Sequence, residues 1–268
     1  MLSAKADIRN VPRHDLENIE RLFEDLIDNH DYSYAIFGSK PMSLADFNLK
    51  VPENLSLYRR LRSKFFLVKR RARLKSWYKH RREFNFEDFI FLDEESDWLD
   101  CLVLILINKK NMLQVLRDNE AIFKEEIGES FTPESFLERL EKREISFAKA
   151  TGKNQRLIGI MLGYGERNAT IFQKRFDLMK VVARRKKENL PEDETMKKEL
   201  DAIESRIACF SEPEADATIH PLYFLADVSH PETVALKRKY EQEREQIIEL
   251  RKKGNFMDLV LQRLASAE

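Results

Sequence analysis

Cys101-Leu102-Val103-Leu104-Ile105-Leu106-Ile107 is the stretch on which the fold turns. It is the longest apolar run in the chain, and its seven residues fall far short of the about 20 that a membrane-spanning helix needs. Leu102–Ile107 is short and β-branched, which predicts a buried strand rather than a helix. Upstream, Phe84, Phe86, Ile90 and Leu92 suggest a second strand, with an acidic turn over Asp93–Asp97 between the two. The pair therefore reads as an antiparallel hairpin. Further out, Tyr32–Phe37 alternates as a strand that ends at Gly38, with Pro41 soon after, and it is expected to join the hairpin at an edge.

The remaining periodicity is helical. Leu16, Ile19, Leu22, Phe23, Leu26 and Ile27 recur at the three-and-four spacing that keeps one face apolar, predicting a helix over Asp15–Asn29. Asn54–Arg82 reads as a long helix with Leu57, Tyr58, Leu61, Phe65, Val68 and Ala72 on one stripe, and would span roughly 40 Å. Asn108 can cap a helix that runs through Glu126 and stops at Gly128. Thr132-Pro133 starts another, since Thr caps and Pro fits the first turn, and this helix is expected to reach about Ala150. Leu157–Leu162 is apolar all round and predicts a buried helix. Gly163-Tyr164-Gly165 then breaks the chain before a helix from Arg167 to about Glu188. A short helix on Met196, Leu200, Ile203 and Ile207 is followed by an acidic loop at Ser211–Thr218 and an extended Leu222–Leu225. Ser229–Lys252 is a charged helix closed by Gly254, and Phe256, Leu259, Val260 and Leu264 mark a last short one.

These elements predict an α+β protein, mainly helical, with at least seven helices around a small three-stranded antiparallel sheet. Residues 1–12 are expected to be a flexible start and residues 13–268 a single helix-rich domain. The composition agrees: 35% of the residues are charged, only 7 are Gly and 8 Pro, and 18 Phe supply bulky core material. Long helices with solvated charged faces fit such numbers, whereas nucleotide-binding α/β folds usually need more glycine at their turns. With 47 basic and 47 acidic residues the chain has no overall polyelectrolyte character. Cys101 and Cys209 stand far apart and outside any C-x-x-C pattern, so neither a zinc site nor a disulfide framework is expected. The chain reads as soluble and cytoplasmic. The alternative is export: Ala4-Lys5-Ala6 resembles the small-residue end of a secretory signal whose upstream part would be lost if the start is truncated.

Local charge is another matter. Asn54–Arg82 holds twelve Lys and Arg and no acid, with Tyr58, Phe66, Trp77 and Tyr78 interleaved. Arg59, Arg62, Lys69, Arg70, Arg73 and Trp77 are the candidate residues for an anionic partner, whether nucleic acid, a membrane surface or an acidic protein. The opposing expectation is internal neutralisation, because Glu83–Asp100 holds eight acids and no base. At the Gly163–Asn168 bend, glycines before a helix N-terminus expose N–H groups and Arg167 adds charge, so an anion could sit there; a plain helix–helix corner is the alternative. Gly38-Ser39-Lys40 is not a Walker A loop, since the upstream glycine is missing. It reads either as a tight turn with an exposed lysine or as a ligand-facing Lys40.

The five histidines, His14, His30, His80, His220 and His230, fit no metal pattern, and no nucleophile elbow is present. No metal, cofactor or catalytic residue is called, and the chain leans away from being an enzyme. Tyr34-Ala35-Ile36-Phe37-Gly38-Ser39-Lys40-Pro41-Met42-Ser43 and Gly159-Ile160-Met161-Leu162-Gly163-Tyr164-Gly165-Glu166-Arg167-Asn168-Ala169 resemble signatures of an uncharacterised family of hypothetical proteins from chlamydia-like bacteria. That resemblance implies no activity. It suggests a meeting place for the two stretches, a polar pocket of Tyr34, Lys40, Tyr164, Arg167 and Asn168. The functional expectation is a non-catalytic binding or interaction protein with an unidentified ligand or partner. Its alternatives are a nucleic-acid-binding protein using helix 54–82, and an enzyme acting on an anionic small molecule near Lys40 and Arg167.

Overall fold

The computed structural model describes residues 10–48, 56–84, 86–96, 101–211 and 218–265. Expectations placed on residues 1–9, on the Asn54 start of the basic helix, on positions 97–100 of the acidic turn and on positions 212–217 lie outside these residues. Contacts divide the chain into two compact units, where the sequence leads to one domain. One unit holds the described residues up to 111 together with 218–220 and 246–265; the other holds 112–211 and 221–245.

The first unit is built on a three-stranded antiparallel sheet, as expected. Strand β1 (Met42–Asn48) and strand β2 (Phe89–Ser96) flank a central β3 (Cys101–Asn108), in the order β1-β3-β2. The hairpin register sets Ile90 against Ile107 and Ser96 against Cys101, while β1 sets Met42 against Ile107 and Asn48 against Cys101. Every residue of β3 except Val103 is buried, which is why its sequence is apolar without alternation.

One element of this unit is of a different kind from the sequence reading. Tyr32–Phe37 is a short helix, not a strand, and the edge strand lies five residues beyond it at Met42–Asn48. Tyr32, Ser33, Tyr34, Ala35 and Ile36 are all buried, so no solvent face leaves a helical period in the sequence. The helix is bound to the central strand: the Tyr32 hydroxyl donates to the Leu104 carbonyl at 2.7 Å, and Asn108 Nδ2 donates to the Ala35 carbonyl at 3.1 Å.

Three further helices complete the frame of this unit. Helix α1 (Arg13–Asp28) buries Ile19, Leu22, Phe23, Leu26 and Ile27, the stripe expected from its spacing. Counting Tyr32–Phe37 as α2, helix α3 (Leu57–His80) packs its C-terminal half on α1 through Leu74 and Trp77. The Trp77 ring stands edge-on to Phe23 at 5.5 Å and to Phe91 of β2 at 5.0 Å. Near the C-terminus, Phe256–Ala265 packs against α1 and α2.

The second unit is helical, with a two-stranded ribbon. After α4 (Lys109–Asp118), which starts in the first unit, come α5 (Glu120–Ile127), α6 (Pro133–Glu141) and α7 (Phe147–Ala150). Then follow α8 (Gln155–Met161), α9 (Glu166–Lys187) and α10 (Glu194–Glu204). Strands β4 (Ala208–Cys209) and β5 (Leu225–Ala226) pair antiparallel, and α11 (Pro231–Lys252) begins here. Caps fall where the sequence places them: Asn108 Oδ1 accepts from the Asn111 N–H, and Thr132 Oγ1 from the Ser135 N–H. The helix expected to run from Thr132 to Ala150 breaks after Glu141, because Arg143 takes the left-handed conformation at φ 55°.

Helices α8 and α9 approach closely at Gly159, where an added Cβ would lie 2.9 Å from the Cβ of Ala169. Gly159→Ala should therefore lower the unfolding free energy by about 1–3 kcal/mol. Denaturant titration checks this, and Ala169→Gly in the same chain should return part of the loss.

Candidate functional site

The two halves of α3 have different surroundings. In the C-terminal half, Asp15 of α1 is the centre of the attachment. Its carboxylate accepts from Lys79 Nζ at 2.8 Å and from Ser76 Oγ at 2.9 Å, and lies 2.9 Å from His80 Nε2. The hydrogen bond from Lys79, then those from His80 and Ser76, hold the Asp15 carboxyl well below the ordinary carboxylate range. About two turns back along α3, Asp25 faces Arg70 and Arg73, each at 3.6 Å. From the acidic stretch after the helix, Asp93 meets Arg81 at 3.2 Å. Internal neutralisation thus occurs, and α1 supplies acids to it that the sequence reading assigned to the hairpin.

The N-terminal half is different. Tyr58, Leu61, Phe65 and Val68 are 75%, 59%, 58% and 66% exposed, and Phe66 beside them is 52% exposed. Their three-and-four spacing sets the first four on one stripe of the helix, N-terminal to the residues that pack on α1. Arg59, Arg62, Lys64 and Lys69 are exposed around that stripe. Among the described residues none of these four meets a carboxylate. Lys69 Nζ lies 4.3 Å from the Phe65 ring centroid, and the Arg62 guanidinium 5.6 Å from that of Phe66.

The six residues read from the sequence as an anionic-partner surface therefore divide. Arg59, Arg62 and Lys69 are on the open half. Arg70 and Arg73 face Asp25, and Trp77 is 1% exposed, closed off from any stacking partner.

The five residues of the expected polar pocket fall in two units, Tyr34 and Lys40 in the first and Tyr164, Arg167 and Asn168 in the second. Tyr34 and Lys40 come together through backbone, since the Tyr34 carbonyl accepts from the Gly38 and Lys40 N–H groups at 3.0 and 3.2 Å. Both sequence readings of Lys40 leave its ammonium at the surface. It is instead fully buried, 3.2 Å from Asp31 Oδ2 and donating to the Met42 carbonyl. Burial pushes its pKa below the ordinary lysine range, against the opposing pull of Asp31.

At the corner, Gly163 and Gly165 take φ of 77° and 84° and turn the chain into α9. The anion expected at this helix start is the protein's own: Glu232 Oε1 accepts from the Glu166 N–H at 3.0 Å, and Oε2 from the Arg167 N–H at 3.1 Å. Asn168 donates to the Tyr164 carbonyl at 2.8 Å and accepts from the Asp227 N–H at 3.0 Å and the Thr233 hydroxyl at 3.1 Å. Arg167 lies 3.7 Å from Asp227, which also accepts from Arg206 and Ser229. Burial pushes the Asp227 carboxyl up, but these hydrogen bonds and the Arg167 charge outweigh it and leave the pKa lowered. Tyr164 stacks on Phe224 with centroids 3.9 Å apart. Arg167 and Asn168 thus serve a junction of the chain's own segments. Sequence reasoning missed Glu232, Asp227 and Thr233, some 60 residues away; the acid in the first turn after Pro231 is the one local signal.

Clefts open among the described residues. One of about 370 Å³ lies between α9 and α10 beside Val182, Leu190 and Met196; one of about 470 Å³ is bordered by Glu20, Glu24, Arg251 and Asp258. Neither has a His, Cys or Ser in its lining. No group of three or more His, Cys, Asp or Glu among the described residues could hold a metal ion, and no described helix is long and apolar enough to cross a membrane. Comparison with protein families, with curated proteins and with solved structures found no match.

Two tests follow from this geometry. Glu232→Ala strips two N–H groups of their acceptor and should lower the unfolding free energy by about 1–2 kcal/mol, with Glu232→Gln costing less in the same denaturant titration. Asp15→Asn should lower the denaturation midpoint at pH 7. A carboxyl with a lowered folded-state pKa stabilises fully above about pH 4, and loses that contribution as pH falls from there toward the folded value. The gap between Asp15→Asn and wild type should accordingly narrow when midpoints are measured below pH 4.

Proposed function

We propose that this chain is a non-catalytic binding protein that docks on an anionic partner through the N-terminal half of α3. The observation that carries this reading is the coincidence of an exposed apolar stripe with cations that meet no described carboxylate. Each part alone is common: single surface apolar residues are ordinary, and surface lysines are usually solvated. Together they mark about 12 residues, some 18 Å of helix, in which four apolar side chains stand exposed beside four cations that meet no described carboxylate. Fixing the C-terminal half through Asp15, Asp25 and Trp77 keeps the helix formed before any partner arrives, so binding costs little ordering entropy. The enzymatic alternative has less support, because the Lys40 ammonium is buried against Asp31 and Glu232 fills the anion position beside Arg167.

The test is retention of the full chain on an immobilised polyanion such as heparin under rising salt. Arg59→Gln/Arg62→Gln/Lys64→Gln/Lys69→Gln should elute at clearly lower salt than wild type. Lys110→Gln/Lys142→Gln/Lys186→Gln/Lys187→Gln, which removes the same charge elsewhere, should shift much less. Equal shifts for the two sets, or none for the first, would end the reading.

A further inference from the structure

We infer that the partner of the α3 face is an anionic lipid surface, on which the helix lies flat. This rests on the reading of α3 as the docking surface and goes one step past it, to the chemistry of the occupant.

Tyr58, Leu61, Phe65 and Val68 step by three, four and three residues, and Ala72, also exposed, continues the series by four. In a helix of 3.6 residues per turn, these steps draw one apolar stripe along the axis. On both borders of the stripe stand cations: Arg62 and Lys69 on one side, Lys64 and Lys75 on the other. Leu57–His80 holds ten Lys and Arg and no acid. That is the pattern of a helix lying in a membrane interface, whose apolar side chains enter the acyl boundary while long basic side chains reach back to the phosphates. An aromatic with a hydroxyl, Tyr58, suits the boundary itself.

Other occupants account for less of this. A nucleic acid would take the cations and could stack on Phe65 or Phe66, but it gains nothing from Leu61 and Val68. Trp77, the best stacking residue of the helix, is buried. A second copy of the chain placed stripe to stripe would bring the exposed cations that border it, Arg62, Lys64, Lys69 and Lys75, against their own counterparts, and like charges at that range repel. Anionic lipid satisfies the apolar stripe and the cations at once.

The experiment is vesicle co-sedimentation of the full chain with phosphatidylcholine, with and without phosphatidylserine. Wild type should sediment with the mixed vesicles, not with the neutral ones, and added salt should weaken the binding. Leu61→Ser/Phe65→Ser/Val68→Ser keeps every cation, and the changed positions are exposed, so its far-ultraviolet circular dichroism and melting temperature should stay at wild-type values. Its partition onto mixed vesicles should drop by about tenfold or more, while its retention on immobilised heparin stays as it was. Wild type that ignores the mixed vesicles, or a triple variant that binds them equally well, overturns the lipid assignment. A single-stranded oligonucleotide bound by wild type and triple variant alike, with no vesicle binding, also overturns it and transfers the face to nucleic acid. Loss of the heparin dependence on Arg59, Arg62, Lys64 and Lys69 is the separate result that removes the underlying reading.

Discussion

A strand with apolar side chains on both faces must be covered on both and paired along both edges, and β3 imposes that requirement on the first unit. Its carbonyl and N–H groups are taken up by β1 and β2. Helix α2 then anchors to it through Tyr32, and α1 and the Trp77 end of α3 bring their rings to Phe91 of β2. A solvated strand could have been covered by fewer elements. Because β3 has no polar face, the elements around it are held to fixed places, and that includes the anchored end of α3.

The consequence reaches the open half of that helix. Its C-terminal turns carry three kinds of contact to α1, aromatic packing, charge-assisted hydrogen bonds and ion pairs, so the helix direction is set from one end. In the N-terminal turns Tyr58, Leu61, Phe65 and Val68 stand exposed, and the helical geometry continues from the anchored end. A rigid support with an exposed apolar and basic face is a stiff presenting element, in which binding energy is not spent on folding.

Much of this fold is legible in the sequence, and the reasons for the rest are physical. The hairpin is legible because a doubly buried strand has a distinctive apolar run, and α1 because its one buried face leaves a period of three and four. Tyr32–Phe37 is not, since a helix buried all round has no period and six residues are too few to define one. The basic helix is legible from its lack of acids. Which half faces outward is not, because the deciding carboxylate, Asp15, lies 61 residues before its partner Ser76. Lys40 likewise reads as a surface charge until Asp31 is seen against it. At the corner the glycines announce the turn, but nothing near them names Glu232 as the group that takes the anion's place.

The Glu232 carboxylate also gives α9 an unusual beginning. Its acceptor for the first two N–H groups is 66 and 65 residues away in the chain, not in the turn before the helix. Most helix starts are finished by a neighbour and can form as soon as the local chain folds. This one is completed only after α11 has been brought back against it, a loop closure with a real entropic cost. The amide hydrogens of Glu166 and Arg167 are therefore reporters of long-range closure: their exchange with solvent follows the return of α11 rather than the local winding of α9.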